Sequence, residues 1–305
     1  MNRIRLQAYG KINLSLDVLR QRPNGYHDVR MIMQTVKLHD NIDMERTDTP
    51  GIVLKTNLPF LPVNENNLMY RAAKMLMDEF HLEGGVRMSL RKVIPVAAGM
   101  AGGSADAAAV LYGMNRLFDL RLSLEELKKR GVQLGADIPF CLMRGTALSE
   151  GIGEILTPLP ALPACSIVLA KPAISVSTKA VYENLHVNTL PAEAHPDVDQ
   201  VIEALKAQDV RAVAGRMGNI LETVTSRQHP EIDAIKERMI ELGALNAMMS
   251  GSGPTVFGLF DDPEKAQACY RALLSAKGKG IAKQVYLTEP WLQPSRTSPS
   301  RPARL

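Results

Sequence analysis

Apolar residues alternate with polar ones through the opening of the chain. A first run, IRLQAYG, is followed by Ile12, Leu14, Leu16 and Val18 in KINLSLDVLR, and VRMIMQTVKL begins just past Pro23-Asn24-Gly25. A period of two puts one set of side chains on one sheet face, so residues 4–45 are predicted to be strands joined by a tight turn. The period then changes. Leu68, Ala72, Met75, Leu76 and Phe80 recur at helical spacing and predict a helix over 66–80, with a strand following over 86–93. PVAAGMAGGSADAAAVLYGMN next leads from a proline through small residues into a helix of about four turns, with Ser104 as its N-cap. Ser123 and Glu126 form the capping box of a further helix, and GADIPFCLMRGTALSEG predicts a short helix and then a strand.

The proline-rich LTPLPALPAC interrupts these patterns near residue 160 and marks a domain boundary. Beyond it the chain predicts a strand at 166–170, helices at 177–184, 198–207, 210–217 and 231–242, a strand, the SGSGP turn, a strand at 256–260, a helix at 263–275 and a strand at 282–287. Strands and helices mixed in this order predict an α+β sandwich and exclude a repeat array. The segment from Pro290, rich in Pro, Ser and Arg, is expected to be a disordered basic tail.

With 305 residues, 46% hydrophobic and 22% charged, the chain can bury a core without disulfide or metal staples. Its formal charge of +4 includes Arg296, Arg301 and Arg304, so the folded body is nearly neutral. That argues against a broad nucleic-acid surface but leaves room for a local anion site. Cys141, Cys165 and Cys269 are odd in number and far apart, which fits a reducing cytoplasm better than a disulfide framework or a metal knuckle. The N-terminus lacks the apolar run of a signal peptide. The longest uncharged stretch, 242–260, holds Asn246, Ser250, Ser252, Pro254 and four glycines, and reads as strand, turn and strand instead of a membrane span.

Two small-residue loops carry candidate chemistry. Residues 95–105 combine unobstructed backbone, free N–H groups and a helix N-terminus, which together cradle phosphate; close packing of the helix on a sheet explains the same residues equally well. Neither GxxxxGK[ST] nor GxGxxG occurs, so this is no P-loop or Rossmann turn. Ser250-Gly251-Ser252-Gly253-Pro254 exceeds the two residues a simple hairpin needs, and reads as a binding loop or a plain glycine loop. One such loop on each side of the boundary suggests a nucleotide triphosphate held between domains. Lys11 is either a solvated edge charge or an ammonium desolvated beside Ile12 and Leu14, and Asp137 either caps a short helix or meets Lys11. An Asp/Lys pair suits phosphoryl transfer to an alcohol, because the carboxylate takes the hydroxyl proton and the ammonium offsets the developing charge. Tyr26 and His27, beside a glycine turn, could hold a ring, whereas no HxH or HExxH spacing supports zinc.

In this order, AYGKINL, PNGYHD, PVAAGMAGGSADAA, LGADIPF and SGSGPTVFGLF resemble the motifs of the GHMP kinase superfamily, a group of small-molecule kinases. The GYH turn together with GADIPF makes the chain similar to the branch acting on a cytidyl diphosphate sugar alcohol. The resemblance runs from about residue 5 to 287. It implies an α+β, two-domain GHMP kinase fold: a domain like the second domain of ribosomal protein S5 over 1–160, a ferredoxin-like domain over 161–288, and the tail, 289–305. The implied activity is phosphorylation of the 2-hydroxyl of 4-diphosphocytidyl-2-C-methyl-D-erythritol by ATP with Mg²⁺, with no membrane or nucleic-acid partner.

By the same resemblance, Asp137 is the general base and Lys11 its partner; Tyr26 and His27 hold the cytosine, Tyr182 supplies a second ring, and Asn13 contacts the methylerythritol portion. The ATP phosphates are wrapped by Pro95, Val96, Ala97, Ala98, Gly99, Met100, Ala101, Gly102, Gly103, Ser104 and Ala105, with Gly251, Ser252 and Gly253 on the other side. Asn67 and Lys92 are further nucleotide contacts, and Ser104 reaches a phosphate or Mg²⁺. Three residues depart from the family's usual loop: Ala101 stands for glycine, Met100 for leucine, and Ala105 lacks a second hydroxyl. A methyl at position 101 requires a negative φ to sit without strain. These departures leave a second reading, a catalytically silent binding protein on the same scaffold.

Overall fold

The opening alternation folds into one long antiparallel hairpin, β1 (Arg3–Gln21) with β2 (His27–Thr47), in a computed structural model that describes residues 1–275 and 281–292. Gly25 turns the chain with φ +84°, a value glycine takes without strain. The two runs predicted on either side of Gly10 are a single strand with a fault in its pairing. Tyr9 pairs with His39 but Lys11 with Thr35, so the partner strand bulges and the Lys11 N–H turns instead to the Met100 carbonyl, 3.1 Å away.

β2 is the hub of the first sheet. Beyond it β3 (Gly51–Thr56) and β4 (Gly85–Arg91) extend one end, while β5 (Thr146–Glu150) and β6 (Ile155–Pro158) extend the other. Helices α1 (Leu68–Glu79) and α2 (Gly102–Leu117) cover one face over Leu6, Ile42, Met44 and Met88. α3 (Leu124–Leu134) opens on the predicted capping box, the Ser123 hydroxyl and the Glu126 carboxylate each closing on the other's backbone N–H. The short α4 (Ile138–Met143) follows.

The second sheet contains β7 (Ser166–Lys171). The chain then passes through α5 (Thr178–Glu183), α6 (Val198–Lys206), α7 (Val210–Arg216), a two-residue strand β8 (Gly218–Asn219), α8 (Glu222–Gln228) and α9 (Glu231–Glu241). β9 (Asn246–Met249), β10 (Val256–Phe260), α10 (Pro263–Ser275) and β11 (Gln284–Thr288) complete it, in the antiparallel order β11-β7-β10-β9. That is the ferredoxin-like arrangement expected. The sheets share apolar cores: Ile12 and Leu14 of β1 pack with Val201 and Leu205 of α6 and Phe257 and Leu259 of β10. β8 also joins the first sheet, in parallel beside Ser15 and Leu16.

Two expectations need correction. α2 starts at Gly102, not after Ser104: Ala101 occupies the N-cap with φ +53°, and the Ala105 N–H already bonds the Ala101 carbonyl at 2.8 Å. A left-handed residue can end a loop without a capping side chain, so the Ser104 rule does not apply. The tail expected from 289 is ordered through residue 292, because β2 has an unfilled edge between β4 and β5. Pro290 bridges Val36, the Lys37 N–H bonds the Glu289 carbonyl and the Trp291 N–H bonds the Thr35 carbonyl. Residues 293–305 of that expected tail lie outside the described residues.

The contact of α2 with the hairpin gives a test. A Cβ on Gly113 would stand 2.3 Å from the Met44 sulfur and 3.0 Å from a Leu6 methyl. Gly113→Ala should destabilise the protein by about 1–3 kcal/mol through overpacking, and adding Met44→Val should recover most of the loss in denaturant unfolding.

Candidate active site

The two glycine loops meet backbone to backbone. Gly99, at φ +71°, would carry a Cβ only 1.9 Å from the Ser250 carbonyl oxygen, so no other residue fits. The Ser250 hydroxyl donates to the Gly99 carbonyl at 3.0 Å. Asn219 braces the second loop, its amide donating to the Met249 and Gly251 carbonyls at 2.9 and 2.8 Å. Nothing local in the sequence marks Asn219, because its partners lie 30 and 32 residues on. The Ser252 hydroxyl pairs with that of Thr178, at the start of α5, at 2.7 Å.

Lys11 lies beneath this junction. A Cβ on Gly251 would stand 3.3 Å from the Lys11 Nζ. The ammonium is buried and donates to the Asn13 Oδ1 at 2.6 Å. Asn13 is itself fully buried, its amide directed at the Met31 sulfur. Burial pushes the Lys11 ammonium below its usual 10.5, against the opposing pull of the Asp137 carboxylate. Asp137 occupies the N-cap of α4 but makes no capping bond, and among the described residues its carboxylate takes no hydrogen bond. The same carboxylate adds to burial in pushing up the Cys141 thiol and the Tyr182 hydroxyl. Lys11 on β1 and Tyr182 on α5 thus both feel the charge of Asp137 at the start of α4, although Lys11 and Asp137 form no direct ion pair among the described residues.

Lys92 has a different setting. Its ammonium bonds Asp40 at 2.5 Å and Asp106 at 2.6 Å, and all three side chains are buried. Burial alone would lower Lys92, but Asp106 and Asp40 outweigh it and hold the ammonium above 10.5. Asp40 also accepts the N–H groups of Val93 and Ile94, fastening β2 to the start of the glycine loop. A Cβ on Gly102 would meet the Lys92 Nζ at 2.9 Å, so the triad lies directly under the first residue of α2. Asp40 was not legible as part of this group; its partners are 52 to 54 residues away. Asn67 caps α1, accepting from the Met69 N–H and donating to the Pro62 carbonyl. Both of these side chains are taken up within the protein.

The loop itself supplies Ala97 at φ +49°, Gly99 at +71° and Ala101 at +53°. The negative φ that an alanine at 101 requires is not found; the left-handed backbone there costs about 1–2 kcal/mol. The Ser104 hydroxyl, in the first turn of α2, makes no hydrogen bond among the described residues. Of the ring-holding candidates, His27 is buried and Tyr26 is 59% exposed at the hairpin tip. The His27 ring lies 5.1 Å from that of Tyr182, tilted by 45°. Burial pushes the His27 imidazole below 6.5, so it is neutral near pH 7.

The chain has counterparts among known proteins over nearly its whole length. The family described as GHMP kinases N terminal domain matches residues 67–145, and GHMP kinases C terminal matches 182–280. A 4-diphosphocytidyl-2-C-methyl-D-erythritol kinase of Lachnospira eligens is 58% identical over 289 residues, covering 95% of this chain and 99% of the relative. A namesake from Lachnoclostridium phytofermentans is 55% identical over 288 residues, covering 94% and 97%. A crystal structure of 4-(cytidine 5'-diphospho)-2C-methyl-D-erythritol kinase superposes with a TM-score of 0.79 at 32% identity, covering 94% of this chain and 99% of that one. The chain therefore belongs to the GHMP kinase family and, within it, to the 4-diphosphocytidyl-2-C-methyl-D-erythritol kinases.

The triad predicts unequal mutant costs. Lys92→Met leaves two buried carboxylates without a cation and should cost about 3–5 kcal/mol. Asp106→Asn leaves a one-to-one pair and should cost less; urea unfolding of both variants checks the order.

Proposed function

We propose that this chain transfers the γ-phosphoryl group of ATP to the 2-hydroxyl of 4-diphosphocytidyl-2-C-methyl-D-erythritol, giving the 2-phosphate, in the methylerythritol phosphate route to isoprenoid precursors. The observation that carries this reading is near-full-length identity of 58% to a kinase of that name. It is supported by Lys11 lying at the meeting of the glycine loops, under the influence of the Asp137 charge.

In this reading the uncapped Asp137 carboxylate takes the proton of the substrate hydroxyl as its oxygen attacks the γ-phosphorus and the bond to ADP breaks. The Lys11 ammonium, held by Asn13, offsets negative charge on that oxygen. The backbone N–H groups of residues 95–105 and the N-terminus of α2 receive the phosphates. His27 and Tyr182 bound the cytosine, with Tyr26 closing from the hairpin tip, and a neutral imidazole can hydrogen-bond the base without a charge.

Among the described residues no group of three or more His, Cys, Asp or Glu side chains is placed to hold a metal ion. That donor set fits a Mg²⁺ ligated mainly by nucleotide phosphates and water, with the uncommitted Ser104 hydroxyl as its protein ligand. When bound, Mg²⁺ neutralises phosphate charge. We place the reaction in the cytoplasm because the three cysteines are free thiols.

Asp137→Asn should lower kcat by about 10²–10⁴-fold while leaving ATP binding intact; unchanged turnover would remove Asp137 from the mechanism. The pH dependence has a definite sign. Lys11 acts as the cation and burial lowers its pKa, so kcat should fall as pH rises through a value below 10.5. An alkaline limb absent up to pH 10.5 would contradict that role.

A further inference from the structure

Arg144 ends α4, the helix that begins at Asp137, and concentrates three unfavourable features in one residue. Its backbone has φ +62°, its side chain is buried with no carboxylate partner among the described residues, and its Nε has no hydrogen-bond acceptor. Burial accordingly pushes the guanidinium below its usual range. Such features persist only where surrounding structure over-determines them. Here the surroundings are specific. The guanidinium carbon lies 4.7 Å from the Tyr9 ring centre and 5.6 Å from that of Trp291, and one N–H donates to the Gln7 carbonyl at 3.0 Å. The Tyr9 and Trp291 rings are 6.0 Å apart.

These contacts join three distant pieces of chain. Tyr9 and Gln7 belong to β1, and Tyr9 is two residues before Lys11, at the fault in the β1–β2 pairing. Arg144 is the C-terminal stop of the six-residue helix whose N-cap is Asp137, and its successor Gly145 accepts the Thr35 N–H at 2.9 Å. Trp291 comes from the segment after β11 that fills the free edge of β2, with its own N–H on the Thr35 carbonyl. Strand, helix and strap are thus pinned at one cation.

We propose that Arg144 is a positioning residue: held against the paired rings of Tyr9 and Trp291, it fixes the helix bearing Asp137 against the strand bearing Lys11, so that the strap at 289–291 sets the geometry of proton transfer. This rests on the kinase reading above. The guanidinium and the two rings form a triangle of mutual contacts, with both rings against one cation, which an aromatic residue at 291 preserves and an alanine abolishes.

The test uses full-length Trp291→Ala, Trp291→Phe and Arg144→Met, with kcat, both KM values and thermal unfolding measured for each. A small misplacement of a reacting group lowers the chemical step steeply. Trp291→Ala and Arg144→Met should each lower kcat by at least about tenfold with both KM values nearly unchanged, Trp291→Phe should restore kcat to within about twofold, and the double variant should be no worse than the singles. Trp291 is the only tryptophan in the chain, so its emission reports the clamp without turnover. Arg144→Met should shift that emission. Folded variants with unchanged kcat, or a kcat loss that Trp291→Phe does not rescue, would overturn the positioning role. An unmoved emission spectrum would overturn the clamp. A parent chain with no turnover of the cytidyl substrate would refute the kinase reading and the positioning role together, whereas an active parent with unaffected variants would refute the positioning role alone.

Discussion

Two turns of backbone must touch with no side chain between them, and the site is organised around that contact. Gly99 faces the Ser250 carbonyl at a distance that a methyl group could not occupy, and the Lys11 ammonium lies against Gly251 just beyond. Because one turn follows β4 and the other joins β9 to β10, their contact fixes how the two sheets meet. The shared apolar core of Ile12, Leu14, Leu205 and Phe257 then excludes water from beneath them. A lysine in that place is desolvated by construction, and its lowered pKa follows from its position.

The buried triad of Asp40, Lys92 and Asp106 solves the complementary problem of holding a glycine-rich loop still. Such a loop has few side chains with which to anchor itself, and its left-handed alanines at 97 and 101 raise its energy. The anchor is supplied from behind, by Asp40 accepting the N–H groups of Val93 and Ile94 and by Lys92 tying β2 to α2. Burying three charges is costly, and Asp106, held well above the usual carboxyl range by burial against the pull of Lys92, carries that cost. An apolar core would pack here as well, but would not fix the start of α2 in direction.

Much of the fold was legible because its signals are local. The period-two hairpin, the Ser123 capping box and the limits of α10 and β10 follow from residues within a few positions of one another. The start of α2 was misread because Ser104 obeys the local capping rule while Ala101, in a left-handed conformation that alanine seldom takes, sets the real boundary. The strap at 289–292, the two-residue β8 and the partners of Asn219 were illegible for one reason: each exists through pairing with strands far away in sequence. The partners of Lys92 were illegible for the same reason. Its ammonium is engaged by two aspartates that neither spacing nor composition connects to it.

This chain phosphorylates one particular alcohol. A coupled ADP-release assay with Mg²⁺ and ATP, run in parallel on 4-diphosphocytidyl-2-C-methyl-D-erythritol, homoserine, mevalonate and galactose, tests it most directly. Turnover is expected with the cytidyl substrate alone. Turnover with any of the other three at a comparable rate, or none with the cytidyl substrate while ATP still binds, would contradict it.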